Sequence, residues 1–358
     1  LEFRRVLFRS APVGGNKTGD DLATQPVVEV RDLSNNVVAN STATVTVSVH
    51  NDASGSVASG TTSTDAVAGV ATFSGVVLVG TPGTDYTLRF SATGITAVNA
   101  SAISVIHADV SQVAFVTQPA GGNRTAEPLT TQPVVEMRDR FGNRVTRDSA
   151  STITISVSSG TNGDLTTGET TVTVDQGRAT FSNVVLIGTA LSDYRFKFAL
   201  DGTAIESAAS NAIHVVHNVA SYMTLQGAAN AKAGIAFSSQ PTVTIKDDYG
   251  NTVIDGDGSA ALITASINKD SLIGTTAIRA VAGVATFTNL GIAGKIGTHT
   301  ISFDIDTPAL DTVSQNINLT YGTATALELT TQPGGGNHTA DNLATQPVVH
   351  VVDAYGNT

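Results

Sequence analysis

A nine-residue phrase that recurs about every 107 residues constrains this 358-residue chain more than any other feature. It reads Thr-Gln-Pro-Val-Val-Glu-Val-Arg-Asp at residues 24–32, and related copies begin at residues 131, 239 and 345. A second phrase, Gly-x-Ala-Thr-Phe, keeps the same spacing from residues 69, 177 and 283. The interval exceeds the roughly 20–50 residues of a solenoid repeat and matches one self-contained domain. The chain is therefore predicted to be a string of similar domains.

Alternation of apolar and polar residues inside each repeat predicts β-strands. Val28 and Val30 alternate with Glu29 and Arg31, and later segments place Thr and Ser between Val and Ile residues. A period of two with one polar face is typical of a half-buried strand. About seven such strands per repeat, separated by turn residues, predict an all-β fold of tandem immunoglobulin-like antiparallel β-sandwich domains.

An Asp-x-x-Gly-Asn sequence follows the marker strand and predicts a tight turn. Asp opens the turn and Gly takes a positive φ, as in a type I turn followed by a left-handed residue. The first repeat has Asn35 in the Gly position, and Asn also tolerates that conformation. We interpret the motif as structural. Its predicted turn residues are Asp139, Gly142, Asn143, Asp247, Gly250, Asn251, Asp353, Gly356 and Asn357.

The repeat boundaries divide the chain into three near-complete domains and the start of a fourth. The predicted ranges are 11–107, 108–217, 218–321 and 322–358. Residues 1–10 carry three Arg in ten and resemble a translated sequencing adapter. We expect them to be non-native, which leaves the first domain with its first strand missing or replaced. The fourth range is predicted to be truncated, with too few strands to close a sandwich.

Charge and composition exclude several classes of function. The net charge of −11 is the opposite of what phosphate neutralisation requires, so nucleic acid is not an expected partner. An apolar content of 41% argues against disorder. With no Cys the chain has no disulfides, a state compatible with either redox compartment. No apolar run approaches the about 18 residues of a spanning helix, so no membrane span is expected here.

Catalytic motifs are missing from the sequence. Neither Gly-x-Ser-x-Gly, nor His-Glu-x-x-His, nor a complete phosphate-binding loop occurs. The seven His are scattered and suggest no triad by spacing. We therefore expect no enzymatic activity and no cofactor.

One acidic cluster in the third repeat raises the question of calcium. It comprises Asp247, Asp248, Asp255 and Asp257, and carboxylate oxygens are the ligands that Ca²⁺ prefers. No Glu completes an EF-hand spacing, and the other repeats lack the cluster. A calcium site and a solvated turn both remain open as interpretations.

Three ring-bearing residues align at the end of the last strand of successive repeats, where one domain passes to the next. They are His107, His217 and Tyr321. We hypothesise that these rings pack at the junctions and stiffen the rod, since ring burial favours docking where partners are present. Simple exposure to solvent is the alternative.

The repeated motifs also carry a family resemblance over residues 11–358. The Gln-Pro-Val-Val strand, the Asp-x-x-Gly-Asn turn and the Gly-x-Ala-Thr-Phe strand resemble bacterial immunoglobulin-like repeats of invasin- and intimin-type surface proteins, with a looser likeness to filamin-type repeats. The third repeat departs at Leu225-Gln226-Gly227, where its siblings have Thr-Gln-Pro. The resemblance implies an extracellular or cell-surface rod of spacer domains and no catalytic residues. It also implies that a host-cell or matrix protein or glycan is bound through regions outside this fragment.

Two functions from different classes follow from these observations. The first is a structural spacer in an adhesin-like protein, and the second is a loop-mediated glycan- or protein-binding module with or without stabilising calcium. A binding module predicts one domain with loop aromatics that its siblings lack. The chain has no Trp and only 5% aromatic residues, which favours the spacer.

Overall fold

The computed structural model describes residues 4–14, 17–50, 55–120, 122–165, 167–335 and 338–358. Within these ranges the chain forms 31 strands and no helix, so the all-β prediction is confirmed. It follows that none of the described segments is a helix able to cross a membrane. The strands make three immunoglobulin-like sandwiches in succession, followed by a two-stranded sheet.

The first domain is built around a seven-stranded sheet. Its order is β5-β3-β9-β10-β1-β2-β6, and the pairs β8-β11 and β4-β7 complete the domain. The strands are β1 (Arg5–Ser10), β2 (Val27–Arg31), β3 (Thr44–Val49), β4 (Ser56–Ser59), β5 (Ser63–Asp65), β6 (Val70–Thr72), β7 (Val77–Val79), β8 (Asp85–Tyr86), β9 (Leu88–Ala92), β10 (Ile95–Asn99) and β11 (Ile103–Ser104).

The second domain packs a three-stranded sheet, β12-β14-β17, against a five-stranded sheet, β13-β19-β18-β15-β16. Inward-facing apolar residues of both sheets form a single core. The strands are β12 (Val110–Thr117), β13 (Gly122–Arg124), β14 (Val134–Asp139), β15 (Thr152–Ser159), β16 (Thr171–Thr173), β17 (Arg178–Thr180), β18 (Ser192–Leu200) and β19 (Ile213–Val216).

The third domain has sheets in the orders β20-β22-β26, β21-β27-β24 and β25-β23-β28-β29, and β30-β31 forms a separate pair after it. The strands are β20 (Tyr222–Gln226), β21 (Ile235–Ala236), β22 (Thr242–Lys246), β23 (Leu262–Ile267), β24 (Ser271–Ile273), β25 (Ala277–Arg279), β26 (Val284–Thr286), β27 (Gly291–Ala293), β28 (Gly297–Ile305), β29 (Val313–Leu319), β30 (Ala324–Thr331) and β31 (Val348–Asp353).

A buried aromatic pair explains the Phe of the Gly-x-Ala-Thr-Phe phrase. In each sandwich this ring meets a Phe of a strand in the other half of the core, with centroids 5.2–5.3 Å apart. Such pairs add about 0.5–1.5 kcal/mol beyond the burial of their area. The pairs are Phe73–Phe90, Phe181–Phe198 and Phe287–Phe303.

The Gln of the nine-residue phrase clamps two segments of the chain. Gln132 donates through Nε2 to the carbonyls of Leu129 and Val184, at 2.9 and 3.4 Å, and its Oε1 accepts from the Val184 amide at 2.8 Å. Gln25 and Gln240 make the same three bonds in their own domains. The clamp joins residues that lie far apart in sequence, which accounts for its recurrence.

Residues 5–10 occupy the position of a first strand. In β1 the partner of Val6 is Val30 and the partner of Phe8 is Val28, and Val6 is buried in the core. The Phe8 ring lies 5.2 Å from that of Phe90, and in the second domain the Phe115 ring lies 5.4 Å from that of Phe198. Domain one in the structure therefore includes this segment. Its non-native origin stays a prediction, because any alternating apolar segment of this length can fill an open strand position.

Candidate functional site at the domain junctions

Each Asp-x-x-Gly-Asn turn is organised by its first carboxylate. Asp139 Oδ1 accepts hydrogen bonds from the amides of Phe141 and Asn143, both at 2.9 Å. Gly142 has a φ of 83°, the left-handed conformation that the sequence predicts for it. Gly250, Gly356 and Asn35 have φ values of 82°, 70° and 70° in the equivalent positions. The same two bonds to the turn amides recur at Asp247 and Asp353.

The second carboxylate oxygen of each turn fixes a linker. Oδ2 accepts a hydrogen bond from the amide of a linker residue shortly after the last strand of the preceding domain, at 2.7–2.9 Å. These carboxylates are buried, so every bond replaces water that the ion has lost. The three pairs are Ala108 with Asp139, Asn218 with Asp247, and Gly322 with Asp353.

Hydrogen bonding keeps the carboxylates of Asp139 and Asp353 ionised. Burial acts to raise the pKa of Asp139, but the bonds donated by Asn143, Ala108 and Phe141 outweigh it and hold the pKa below its usual value. At Asp353 the bonds from Gly322 and Asn357 likewise outweigh desolvation and hold the pKa well below the ordinary range. The anionic form is therefore the one that binds the linker.

The Asn that ends the turn reaches back to the preceding domain, and we call these contacts the Asn clasp. The amide of Ala190 donates to Asn251 Oδ1 at 2.9 Å, and Asn251 Nδ2 donates to the Gly188 carbonyl at 3.4 Å. At the next junction Ile296 donates to Asn357 Oδ1 at 3.1 Å, and Asn357 Nδ2 donates to a loop carbonyl at 3.0 Å. Each clasp thus joins a turn to a loop of the previous sandwich.

The first junction has no Asn clasp because Pro82 stands in the position of Ala190 and Ile296. Proline has no amide hydrogen to donate. Asn143 Nδ2 bonds only to Asp139 of its own turn, and no described residue donates to Asn143 Oδ1. A cavity of about 440 Å³ opens between the two domains here, lined by residues from both.

Other contacts at the first junction lie nearer the surface. Arg140 Nη2 donates to the Gly19 carbonyl at 2.8 Å, and Lys17 Nζ lies 2.6 Å from Asp109 Oδ1. Exposed ion pairs of this kind contribute little to stability, since water screens them. The ring of Phe141 covers Gly19, where a Cβ would stand 2.2 Å from the ring. Packing and surface contacts therefore replace the clasp.

Two of the three rings predicted at the junctions contact the following domain. His107 Nδ1 donates to the Ala108 carbonyl at 2.9 Å, and its Nε2 accepts from the Arg147 amide at 3.3 Å. The buried His217 lies with Nε2 3.0 Å from Asp255 Oδ1. Tyr321 is 62% exposed. Stiffening of the rod by these rings stays a prediction.

The acidic residues considered for calcium are not brought together as a ligand set. Asp247 uses both oxygens in its turn and linker, Asp248 bonds to Ser221, and Asp255 faces His217. Within the part of the chain that the structure describes, no group of three or more acidic, His or Cys residues, Asp257 included, is placed to hold a metal ion. The calcium hypothesis has no geometric support there.

Sequence reasoning missed the support beneath the clasp loop. Tyr194 Oη accepts the Thr189 amide at 2.8 Å, and Tyr86 does the same for Thr81 at 2.7 Å. In the third domain Asp270 accepts the amide of the equivalent loop residue at 3.3 Å and is held by His299 at 2.7 Å. The bond from His299 lowers the pKa of Asp270. The alignment of Tyr86, Tyr194 and His299 was the available signal.

Comparisons with known proteins give only distant likenesses. No family model matches the chain, and no curated protein matches it. Among solved structures, FdeC, an adhesin of Escherichia coli, is 18% identical with a TM-score of 0.33, covering 88% of this chain and 96% of that one. The FN1–FN3 domains of chicken CNTN1 are 13% identical with a TM-score of 0.30, covering 87% and 97%.

A β-glucuronidase of Parabacteroides merdae is also similar, at 12% identity and a TM-score of 0.23. The likeness covers 59% of this chain and only 24% of the enzyme. Scores of this size support no conclusion about function. The immunoglobulin-like fold is established by the strands and cores of the chain itself.

Proposed function

We propose that this chain is a structural spacer, a stalk of tandem immunoglobulin-like domains in a bacterial adhesin-like protein of the cell surface or extracellular space. The invasin- and intimin-like motifs of the sequence are consistent with that class. The observation that carries the proposal is the buried turn carboxylate bonded to the linker amide, which recurs at Asp139, Asp247 and Asp353. The proposal includes no enzymatic role, and it assigns the binding of a host-cell or matrix partner to other regions of the protein.

The repeated junction gives a physical basis for a spacer. A linker free to rotate makes a chain of domains flexible, whereas each bond that fixes backbone lowers the number of accessible orientations. At the second junction Asp247 holds the linker and Asn251 holds the preceding domain, and Asn218 Nδ2 adds a bond to the Thr125 carbonyl at 3.3 Å. Bonds on both sides of the linker favour one relative orientation.

The junctions are not equivalent in this scheme. The second and third have the Asn clasp, whereas the first has Pro82 and an open cavity. We therefore expect a stalk with two stiff junctions and one more compliant junction. A compliant first junction lets the stalk bend there, while the segment held by the two stiff junctions stays extended.

The spacer proposal is tested by distances between domains. Because the chain has no Cys, two introduced cysteines give a single pair of spin labels. We expect Asn251→Ala to broaden the distance distribution between the second and third domains, measured by pulsed electron paramagnetic resonance. The matched control is Asn143→Ala, whose distribution between the first and second domains should not change, since Asn143 makes no clasp. An unchanged distribution in Asn251→Ala would contradict the proposal.

A further inference from the structure

The cavity at the first junction has an unusual lining for so acidic a chain. Arg144 and Arg147 of the second domain line it together with loop residues of the first, and no acidic residue takes part. The chain as a whole has 30 Asp and Glu against 19 Lys and Arg. The cavity volume of about 440 Å³ falls within the range of roughly 300–1,000 Å³ that is typical of small-molecule sites. The cavity is therefore a cationic site on an anionic protein.

Neither guanidinium group is neutralised by the protein. In the described chain the side chains of Arg144 and Arg147 make no hydrogen bond or ion pair, whereas Arg138 and Arg178 both bind Glu136. A guanidinium offers five N–H donors in a planar fork that matches the two oxygens of a carboxylate or sulfate. Two unpaired forks on one cavity wall are suited to an oxyanion.

The remaining polar lining includes a His ring and two hydroxyl-bearing residues. Both ring nitrogens of His107 are engaged within the protein, one with the Ala108 carbonyl and one with the Arg147 amide. Thr81 and Ser104, which carry hydroxyl groups, also line the cavity. Hydroxyl donors and acceptors beside a cationic wall suit a ligand that carries both hydroxyls and an acid group.

The residues at the two Arg positions differ between the first and second junctions. At the second junction Thr252 and Asp255 stand in the positions of Arg144 and Arg147, and the Asn clasp joins the domains at the place where the first junction is open. Pro82 lies in the cavity wall at the position that would otherwise supply the clasp donor. The positive charge therefore distinguishes the first junction from the second.

From this geometry we propose that the cleft between the first and second domains binds an acidic saccharide, whose carboxylate or sulfate is held by Arg144 and Arg147. Charge-assisted bonds to the two guanidinium groups supply affinity, and the hydroxyl-lined wall contacts the sugar. The site gives a concrete form to the binding-module alternative and does not depend on the spacer role.

The experiment titrates the whole chain with galacturonate, with galactose as the matched neutral sugar and inorganic sulfate as the bare oxyanion. Binding is followed by ligand-observed nuclear magnetic resonance. We expect galacturonate to bind, galactose not to bind, and added salt to weaken the interaction by screening. Arg144→Gln and Arg147→Gln should each weaken galacturonate binding about tenfold, as for the loss of a bond to a charged group. Arg89→Gln, on the exposed face of β9, should leave it unchanged.

A second variant tests the role of the opening. Pro82→Ala provides an amide for Asn143 Oδ1, as Ala190 does for Asn251, and is expected to close the cleft and weaken galacturonate binding. Melting curves of all variants check that they are folded. The proposal is overturned if galacturonate does not bind, whether or not sulfate does. It is also overturned if a variant that carries both Arg144→Gln and Arg147→Gln binds galacturonate as well as the parent does.

Discussion

The backbone amide of Ala190 donates a 2.9 Å hydrogen bond to Asn251 Oδ1, so a turn of the third domain holds a loop of the second. The residue in the Ala190 position of the first domain is Pro82, which has no hydrogen to donate. The difference of one backbone N–H separates a clasped junction from an open one. The first junction therefore serves as a control for experiments on the clasp of the second junction.

Exchanging these two residues should exchange the behaviour of the junctions. We expect Pro82→Ala to narrow the distance distribution between the first two domains and Ala190→Pro to broaden that between the second and third. Spin-label distance measurements on the two pairs check both directions. If neither substitution changes its distribution, the clasp does not control orientation.

Loss of a turn carboxylate should destabilise the domain that contains it. Asp139→Ala removes the acceptor of the Phe141, Asn143 and Ala108 amides and leaves buried donors unsatisfied. We expect a loss of about 2–4 kcal/mol in the free energy of unfolding of the second domain, measured by chemical denaturation. Asp32→Ala is the comparison, because Asp32 lies on the first turn and is more exposed. A loss no larger than that of Asp32→Ala would show that the linker bond is energetically unimportant.

Acid should remove the contribution of the Asp139 carboxylate to the stability of the second domain. The folded-state pKa of Asp139 lies below its usual value, so its contribution to stability is present above the ordinary pKa of about 3.9. That contribution is lost as the pH falls through the lowered pKa. We expect the stability of the parent to fall more steeply below pH 4 than that of Asp139→Asn, which cannot ionise. The measurement is chemical denaturation of both proteins at a series of pH values from neutral to strongly acidic. The prediction is wrong if the free energy of unfolding of the two proteins falls in parallel as the pH is lowered.

The Gln clamp should contribute to the stability of each sandwich. Gln132→Ala leaves the Val184 amide and two carbonyls without their partner, and we expect a loss of about 1–3 kcal/mol in the free energy of unfolding. Gln346→Ala is the matched control, since Gln346, the equivalent residue of the fourth repeat, makes one of these bonds, to the Leu343 carbonyl at 3.0 Å. Chemical denaturation of both variants checks the difference. Equal losses in the two variants would indicate that the bonds between Gln132 and Val184 do not contribute to stability.

Local sequence was sufficient to predict the strands and turns. The alternation at Val28 and Val30 places both side chains in the core, and Gly142 has the positive φ that its turn requires. These features depend on neighbours within a few residues, which is the range that periodicity and turn chemistry report. The Asp247 cluster shows the limit of the same reasoning, because proximity in sequence did not bring its four carboxylates into one site.

By itself the sequence determined the number of repeats, the all-β fold and the turn motif, since each is written in residue types at fixed spacing. Only the tertiary structure decided that the Asn of the turn is a clasp, that Pro82 leaves the first junction without one, and that Arg144 and Arg147 share a cavity wall. These facts depend on which atoms meet across two separately folded domains. A hydrogen bond between domains leaves no periodic signal along the chain, so three-dimensional contact alone reveals it.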